Sequence, residues 1–410
     1  MTRRRDILAA WADTRCAMHL DAGGLARRRA RLWQAMRPVL AATPALADHA
    51  GDALREVPIV EPAAMRADPA AWNSAGIGAD EAFAAARDAE AGGQGLVRDG
   101  IAAGLSTGTS GARGLFLASP RERARYVGQS IARLLPVHAP LTGARIALVL
   151  RADSALYRDA RRGRFAFLHV PLGLGGEVML AALHRFGPTV LIAPPRELAR
   201  IAAVGSTLPS SLRRLFWGSE PMAGRERRWI ADRLGLRPDP IYQATEGFIA
   251  AACRQGALHL NDDSMDIELQ DVSGTDACRP IVTDLRRHVQ PMVRVRLDDL
   301  VHLEPGACAC GFAGRIIRPV AGRVGDVWHT LSGAMTPDCV DDHFVEALGA
   351  DAQWRVEGSR GAVQVELVDR RHEGAMRTAV RALLGAPDIA VRTVSEIAGP
   401  KRRRVTWANA

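Results

Sequence analysis

Lysine is all but missing from this chain. Of the 54 basic residues among its 410, one is a lysine, Lys401, and every other is arginine. A GC-rich coding bias converts lysine to arginine wherever the two are equivalent, and they are not equivalent where a compact, flexible ammonium is required. Lys401 is therefore the first residue nominated for chemistry. Aromatics are also scarce, at 5%. Scattered arginines, few aromatics and no helix-turn-helix, zinc-finger or RNP-like pattern exclude nucleic acid as the partner, despite a net charge of +9. Arg3-Arg4-Arg5 and Lys401-Arg402-Arg403-Arg404 are short runs that read as solvated ends. Six cysteines in so long a chain make no disulfide framework. No apolar run approaches a membrane span, and Asp13 and Arg15 interrupt any signal-like segment, so no membrane is expected and a cytoplasmic location is. A Walker A loop and a G-x-G-x-x-G turn are both lacking.

What the chain does have is a core's worth of apolar residues, 48%, spread over a length that calls for two or more domains. It also has one conspicuous loop. Ser106-Thr107-Gly108-Thr109-Ser110-Gly111-Ala112-Arg113-Gly114 packs four hydroxyls and three glycines into nine residues. Glycines allow a sharp turn that exposes backbone N–H groups, and the hydroxyls add donors, a chemistry suited to phosphate. Taken alone, the same composition also describes a polar turn.

Helical patterns run from Asp6 to about Leu40, with Gly23-Gly24 as the expected break, and over Asp80–Ala91. Ser119-Pro120-Arg121-Glu122 is a capping box with proline at the first helical position, opening a helix to about Leu135. Strands at Arg145–Leu150, Thr189–Ile192, Leu215–Trp217 and Ile241 then alternate with helices at Glu177–Phe186, after Pro194-Pro195, and from about Arg225 to Leu234. That alternation predicts an α/β layer architecture, with ligands at the strand ends. From Leu258 short strands separated by Gly, Pro and Asp predict a β-rich subdomain. Beyond Gly325 the order helix, strand, strand, helix, strand predicts a small α+β domain. The expected boundaries are 1–324 and 325–410.

Three further clusters carry chemistry. Tyr242-Gln-Ala-Thr245-Glu246-Gly247 follows a strand, and a carboxylate beside a hydroxyl there can hold Mg²⁺ and a phosphate oxygen, although a surface loop is the plainer reading. Thr283-Asp284, Arg294-Val-Arg296-Leu-Asp298-Asp299 and Gly322-Arg323 supply carboxylates for ribose hydroxyls and guanidiniums for ribose or phosphate oxygens. Cys253-x5-His259 with Cys308-x-Cys310 is a common zinc set, or else four incidental residues.

The order Ser-Thr-Gly-Thr-Ser-Gly, Tyr-x-x-Thr-Glu, Arg-x-Arg-x-x-Asp, Gly-Arg-x-x-Asp and a late lysine resembles the acyl-adenylate-forming enzymes over nearly the whole chain. Tyr242–Phe248, Leu258-His-Leu-Asn261 and Gln290-Pro291 are similar to the branch of phenylacetate–CoA ligase and coenzyme F390 synthetase. The resemblance implies a large AMP-binding domain of layered α/β subdomains plus a small β-rich one, and a mobile C-terminal domain carrying Lys401. It implies that ATP, Mg²⁺ and a small carboxylic acid, aryl or medium acyl, give acyl-AMP and pyrophosphate. CoA or the phosphopantetheine of an acyl carrier protein would then accept the acyl group. Ser106, Thr107, Gly108, Thr109, Ser110 and Gly111 would cradle the β- and γ-phosphates, with Arg113 where the family often has lysine. Ser219 and Glu220 would border the adenine and the acyl pocket, and Tyr242 would lie against the adenine. Thr245 would meet the α-phosphate, Glu246 Mg²⁺, Asp299 the ribose and Arg323 ribose or phosphate. Lys401 would reach the acid and the α-phosphate. The branch also implies structural Zn²⁺ on Cys253, His259, Cys308 and Cys310. Departures from the family stand at Gly325, where its hinge aspartate is expected, and at Val295, where it has tyrosine. AMP transfer to a cofactor hydroxyl, and a binding module without catalysis, are the alternatives.

Overall fold

The computed structural model describes residues 4–105, 113–150, 164–397 and 403–408. The hydroxyl-rich loop Ser106–Gly111 and Lys401 therefore lie outside the described residues.

A nine-stranded sheet organises the molecule. Its strands run, in spatial order, Leu303–Glu304, Ile316–Ile317, Leu258–Leu260, Gly247–Ala252, Pro238–Ala244, Arg214–Trp217, Val190–Ala193, Ala144–Leu150 and Phe165–Pro171. The last five are parallel to one another and the others antiparallel. Helices cover both faces, so these strands must bury alternate residues in opposite directions. Ile146, Leu148 and Phe216 pack toward the helix Pro120–Leu134, whereas Ala147, Val149, Leu215 and Trp217 pack toward the helices Gly176–Phe186, Pro195–Val204 and Gly224–Leu234.

The capping box at Ser119 is formed: Glu122 N donates to Ser119 Oγ at 3.3 Å, and Ser119 N to Glu122 Oε2 at 2.6 Å. The N-terminal helices are Arg4–Ala17 and Ala22–Ala41. Their break falls at Met18–Asp21, ahead of the expected glycines, because Asp21 caps the second helix by accepting Gly24 N at 2.6 Å. Gly23 and Gly24 thus sit in a first helical turn.

The short strands after Leu258 divide between two sheets. Leu258–Leu260 extends the large sheet, while Met265–Asp271, Cys278–Asp284 and Val295–Arg296 form a three-stranded sheet. A two-stranded ladder pairs Asp299 with Arg323 and Leu300 with Gly322. Gly322 has φ +133, and a Cβ there would meet Pro337 at 2.5 Å, so only glycine fits. A four-stranded sheet follows, in the order Asp388–Thr393, Ala362–Leu367, Trp354–Gly358, Val405–Trp407. Trp328, Phe344, Trp354, Met376 and Val380 fill its core beneath the helices Pro337–Leu348 and Glu373–Leu384. No helix among the described residues is long and apolar enough to cross a membrane.

Candidate functional site

Where the parallel strands end, the chain leaves a cavity of about 810 Å³, ample for a nucleotide and a small acid. The strand Arg214–Trp217 delivers Gly218-Ser219-Glu220 to its wall, and Pro238–Ala244 delivers Thr245 and Glu246. Ser219 holds φ +73, a left-handed conformation that L-residues adopt at a cost and that recurs at ligand clamps. The ladder from the second half of the sequence brings Asp299 and Arg323 to the same wall, and Arg113 closes it beside Gly114. Every predicted nucleotide-contacting residue among those described therefore lines one cavity.

Their couplings are specific. Tyr242 is buried, and its hydroxyl donates to Asp299 Oδ2 at 2.7 Å. Burial first, and then the Asp299 carboxylate, raises the phenol well above its usual range, so it stays a donor and fixes that carboxylate. Glu246 is also raised, mainly by desolvation and next by Asp299 among the groups that push it upward. A divalent cation bound there would remove that penalty, since a hard ion takes carboxylate oxygens. Arg113 pairs with Glu90, Nη1 to Oε2 at 2.9 Å, so its guanidinium is already partly neutralised. The apolar half of the cavity lies between the helix Pro120–Leu134 and the sheet, walled by Ile131, Leu134, Ile146, Leu148, Phe165 and Phe167.

Three features of this wall differ from or add to what the sequence offers, and Asp284, grouped there with the ribose carboxylates, is the first. Asp284 lies against Gly247, where a Cβ would stand 3.2 Å from its Oδ2, and it accepts Arg286 N at 2.9 Å. Desolvation lifts its pKa to about 6, with Arg287 opposing. A raised carboxyl binds its proton more tightly in the folded state, so stability is lost as pH climbs from about 4 through 6. Asp284→Asn should remove that loss. Its unfolding free energy should match the parent near pH 3.5 and exceed it at pH 7 by at most about 3 kcal/mol, less whatever cavity water screens. Urea titrations across that range test this, and a constant difference at all pH values would refute it.

The second feature is the Arg403–Arg404 pair. Read from sequence as part of a solvated end, both are ion-paired, and Arg404 is buried. Arg403 Nη2 reaches Asp326 at 2.6 Å, and Arg404, only 5% exposed, reaches Glu226 and Asp341. A charge count cannot reveal this, because the partners lie 178 and 63 residues away. The third is the Arg287–Gln290 segment, taken up below.

Away from the cavity, Cys253, His259, Cys308 and Cys310 converge, with all ligand atoms within 4.8 Å of one another. Cys253 Sγ and Cys308 Sγ are 3.7 Å apart, and Cys310 Sγ is 3.4 Å from His259 Nε2. A tetrahedral zinc with ~2.3 Å Zn–S and ~2.05 Å Zn–N bonds sets edges of ~3.8 and ~3.6 Å, close to those spacings. His259 Nδ1 lies 2.7 Å from Gly314 O, a bond that places the proton on Nδ1 and leaves Nε2 a lone pair for metal. Burial, and then the Cys308 and Cys253 sulfurs, push the Cys310 thiol up to about 12, a penalty that a cation would reverse.

No protein-family model and no curated protein matches the sequence. Solved structures do. A 2-hydroxyisobutyryl-CoA ligase in the postadenylation state, in complex with 2-HIB-AMP, aligns with TM-score 0.67 and 17% identity, covering 96% of this chain and 91% of that one. The same ligase in its thioesterification state, with 2-HIB-AMP and CoA, gives TM-score 0.56 at 18% identity over 95% and 91%. An anthranilate CoA ligase, AuaEII, in complex with anthranoyl-AMP, gives TM-score 0.54 at 14% identity over 75% and 66%. This chain thus has the fold of the 2-hydroxyisobutyryl-CoA ligase across nearly its full length, and that of the anthranilate CoA ligase across three quarters of it.

Proposed function

We propose that this protein is an ATP-dependent acid–thiol ligase that forms an acyl-adenylate. The observation that carries the reading is the meeting of Ser219, Tyr242, Thr245, Glu246, Asp299 and Arg323 on one cavity wall, at the strand ends of a fold shared with such ligases. A carboxylate oxygen of the acid attacks the α-phosphorus of ATP, the bond to the bridging oxygen breaks, and pyrophosphate leaves. The barrier is electrostatic, because an anion attacks an anion. Asp299, oriented by Tyr242, accepts from the ribose hydroxyls, and Arg323, its ladder neighbour, faces the same ribose or a phosphate oxygen. Thr245 donates to the α-phosphate. Mg²⁺, held by Glu246, would neutralise charge on the phosphate oxygens. In the second half-reaction a thiol sulfur of CoA or of a carrier protein's phosphopantetheine attacks the acyl carbonyl, and AMP departs.

The apolar half of the cavity favours an aryl or medium-chain acid over a short polar one. We also propose that the chain divides near Gly325 and that residues 325–410 rotate between the half-reactions. The higher TM-score against the postadenylation state than against the thioesterification state supports a postadenylation-type arrangement here. ATP–pyrophosphate exchange across a panel of aromatic and aliphatic acids tests the central reading. Exchange with apolar acids is expected, and none with any acid would refute it. Thioester analysis with CoA and with a carrier protein identifies the acceptor, and an AMP-bearing product would favour transfer to a hydroxyl instead.

Zinc on the Cys253, His259, Cys308 and Cys310 cluster belongs to the same reading as a closed structural site, because none of the four reaches the cavity wall. Purified protein should carry about one zinc per chain by elemental analysis. Cys308→Ser should lose it and unfold at lower temperature, while exchange per folded molecule is kept. Metal-free parent protein of undiminished thermal stability would remove the zinc assignment.

A further inference from the structure

Between the strands Cys278–Asp284 and Val295–Arg296 the chain makes no regular element, yet its polar groups are heavily engaged. Gln290 is 2% exposed. Its Oε1 accepts Leu117 N at 3.0 Å, and its Nε2 donates to Leu115 O at 3.2 Å. One side-chain amide therefore mimics a neighbouring strand along Leu115–Ala118, whose other edge pairs with Ala102–Leu105. Arg287 completes the bridge. Its Nη2 donates to Gln290 Oε1 at 3.1 Å and to Leu117 O at 3.3 Å, while its Nη1 donates to Thr245 O at 2.5 Å. From the other side, Glu122 Oε1 accepts His288 N at 2.6 Å and Val289 N at 3.0 Å, pinning the segment to the capped helix start.

We infer that Arg287 and Gln290 are positioning residues that set the distance between the two ends of a bound triphosphate. The inference rests on the adenylation reading. Leu115 follows Arg113 and Gly114, both on the cavity wall, so the amide fixes the strand into which Arg113 leads. The guanidinium ties that strand to the Thr245–Glu246 turn at the α-phosphate end. A guanidinium suits this task because its planar fork reaches three acceptors at once, which an ammonium on a flexible stem does not do in fixed geometry. Both side chains are held by backbone carbonyls and N–H groups, so neither needs a ligand to be in place.

A role in spacing makes a prediction that a merely structural role does not. AMP touches one end of the bridge and ATP both. In Arg287→Lys and in Gln290→Leu, calorimetric binding of AMP should stay within about twofold of the parent, as only its α-phosphate end is engaged. ATP should bind at least tenfold more weakly, approaching AMP, and kcat for pyrophosphate exchange should fall at least tenfold while KM for the acid holds. Gln290→Glu retains the acceptor toward Leu117 N and Arg287 but loses the donor to Leu115 O, and should fall between. If ATP and AMP weaken together, or if exchange is unchanged in both variants, the bridge is not a spacer. A parent protein that binds no ATP overturns the adenylation reading and this inference with it. A parent that binds ATP, beside variants that bind it equally well, overturns the spacing role alone.

Discussion

Arg404→Met is expected to cost about 3–5 kcal/mol of folding stability, the range for stripping one partner from a buried charge group. The Arg404 side chain is 4% exposed, and those of Glu226 and Asp341 are 0% and 9%. Its Nη2 lies 2.8 Å from Glu226 Oε2 and 2.6 Å from Asp341 Oδ2, and its guanidinium carbon sits 4.8 Å from the Trp354 ring centroid. Three segments meet there: the helix Gly224–Leu234 beneath the large sheet, the helix Pro337–Leu348, and the start of the strand Val405–Trp407. Methionine fills much of the volume but leaves two carboxylates facing each other in a site that water barely reaches. The loss comes from the charge that those two buried carboxylates keep. The triple replacement Arg404→Met, Glu226→Gln, Asp341→Asn should recover most of it, because an uncharged cluster of similar shape pays no ionic desolvation. Urea midpoints with unchanged m values measure this, and a loss under 1 kcal/mol at pH 7 would show that the group is not held as an ion cluster. The bond between Arg404 and Glu226 also crosses the boundary proposed near Gly325, so a rotation of residues 325–410 would have to break it.

The elements and the site were legible in the sequence to different degrees, for physical reasons. The helix Pro120–Leu134 could be read residue by residue, because its capping box and N1 proline act within four positions of chain. The strands Ala144–Leu150, Val190–Ala193 and Arg214–Trp217 are apolar except at Arg145 and Arg214, as burial on both faces demands. Phe165–Pro171 was not read as a strand; it is the sheet's edge and only half-buried, so its pattern is weak. Leu258–Leu260 looked like the start of a separate β-rich unit, because three residues cannot state which sheet they join. Tyr242, Thr245, Glu246, Asp299 and Arg323 were named from the order of motifs, and all line the cavity. The Tyr242–Asp299 bond, the Gln290 amide and the Arg404 cluster were invisible, since each depends on partners 57 to 178 residues apart that only the fold brings together.

Lys401→Ala is expected to slow ATP–pyrophosphate exchange by about 10²–10³-fold, the effect of removing one preorganised donor from charge developing in a transition state. Composition makes the first part of the case: a chain whose every other Lys-or-Arg position is arginine has one lysine. Covalent geometry makes the second. Arg403 lies on the cavity wall, bonded to Asp326 at 2.6 Å, and Lys401 precedes it by two residues, at most ~7 Å of chain. The role proposed for the lysine asks for no more than that reach. The chemistry makes the third, because carboxylate attack at an α-phosphate crowds negative charge that a small mobile cation relieves. Lys401→Arg should recover little, since a planar fork cannot put a point charge at the same place. KM for ATP and for the acid should change far less than kcat, because the ammonium acts on charge that appears only at the transition state. Thioester formation from supplied acyl-AMP should run near the parental rate, which separates a lost adenylation group from a damaged fold. Exchange at full rate in Lys401→Ala would end the assignment, and equal loss in both half-reactions would reduce the lysine to a structural part of the tail.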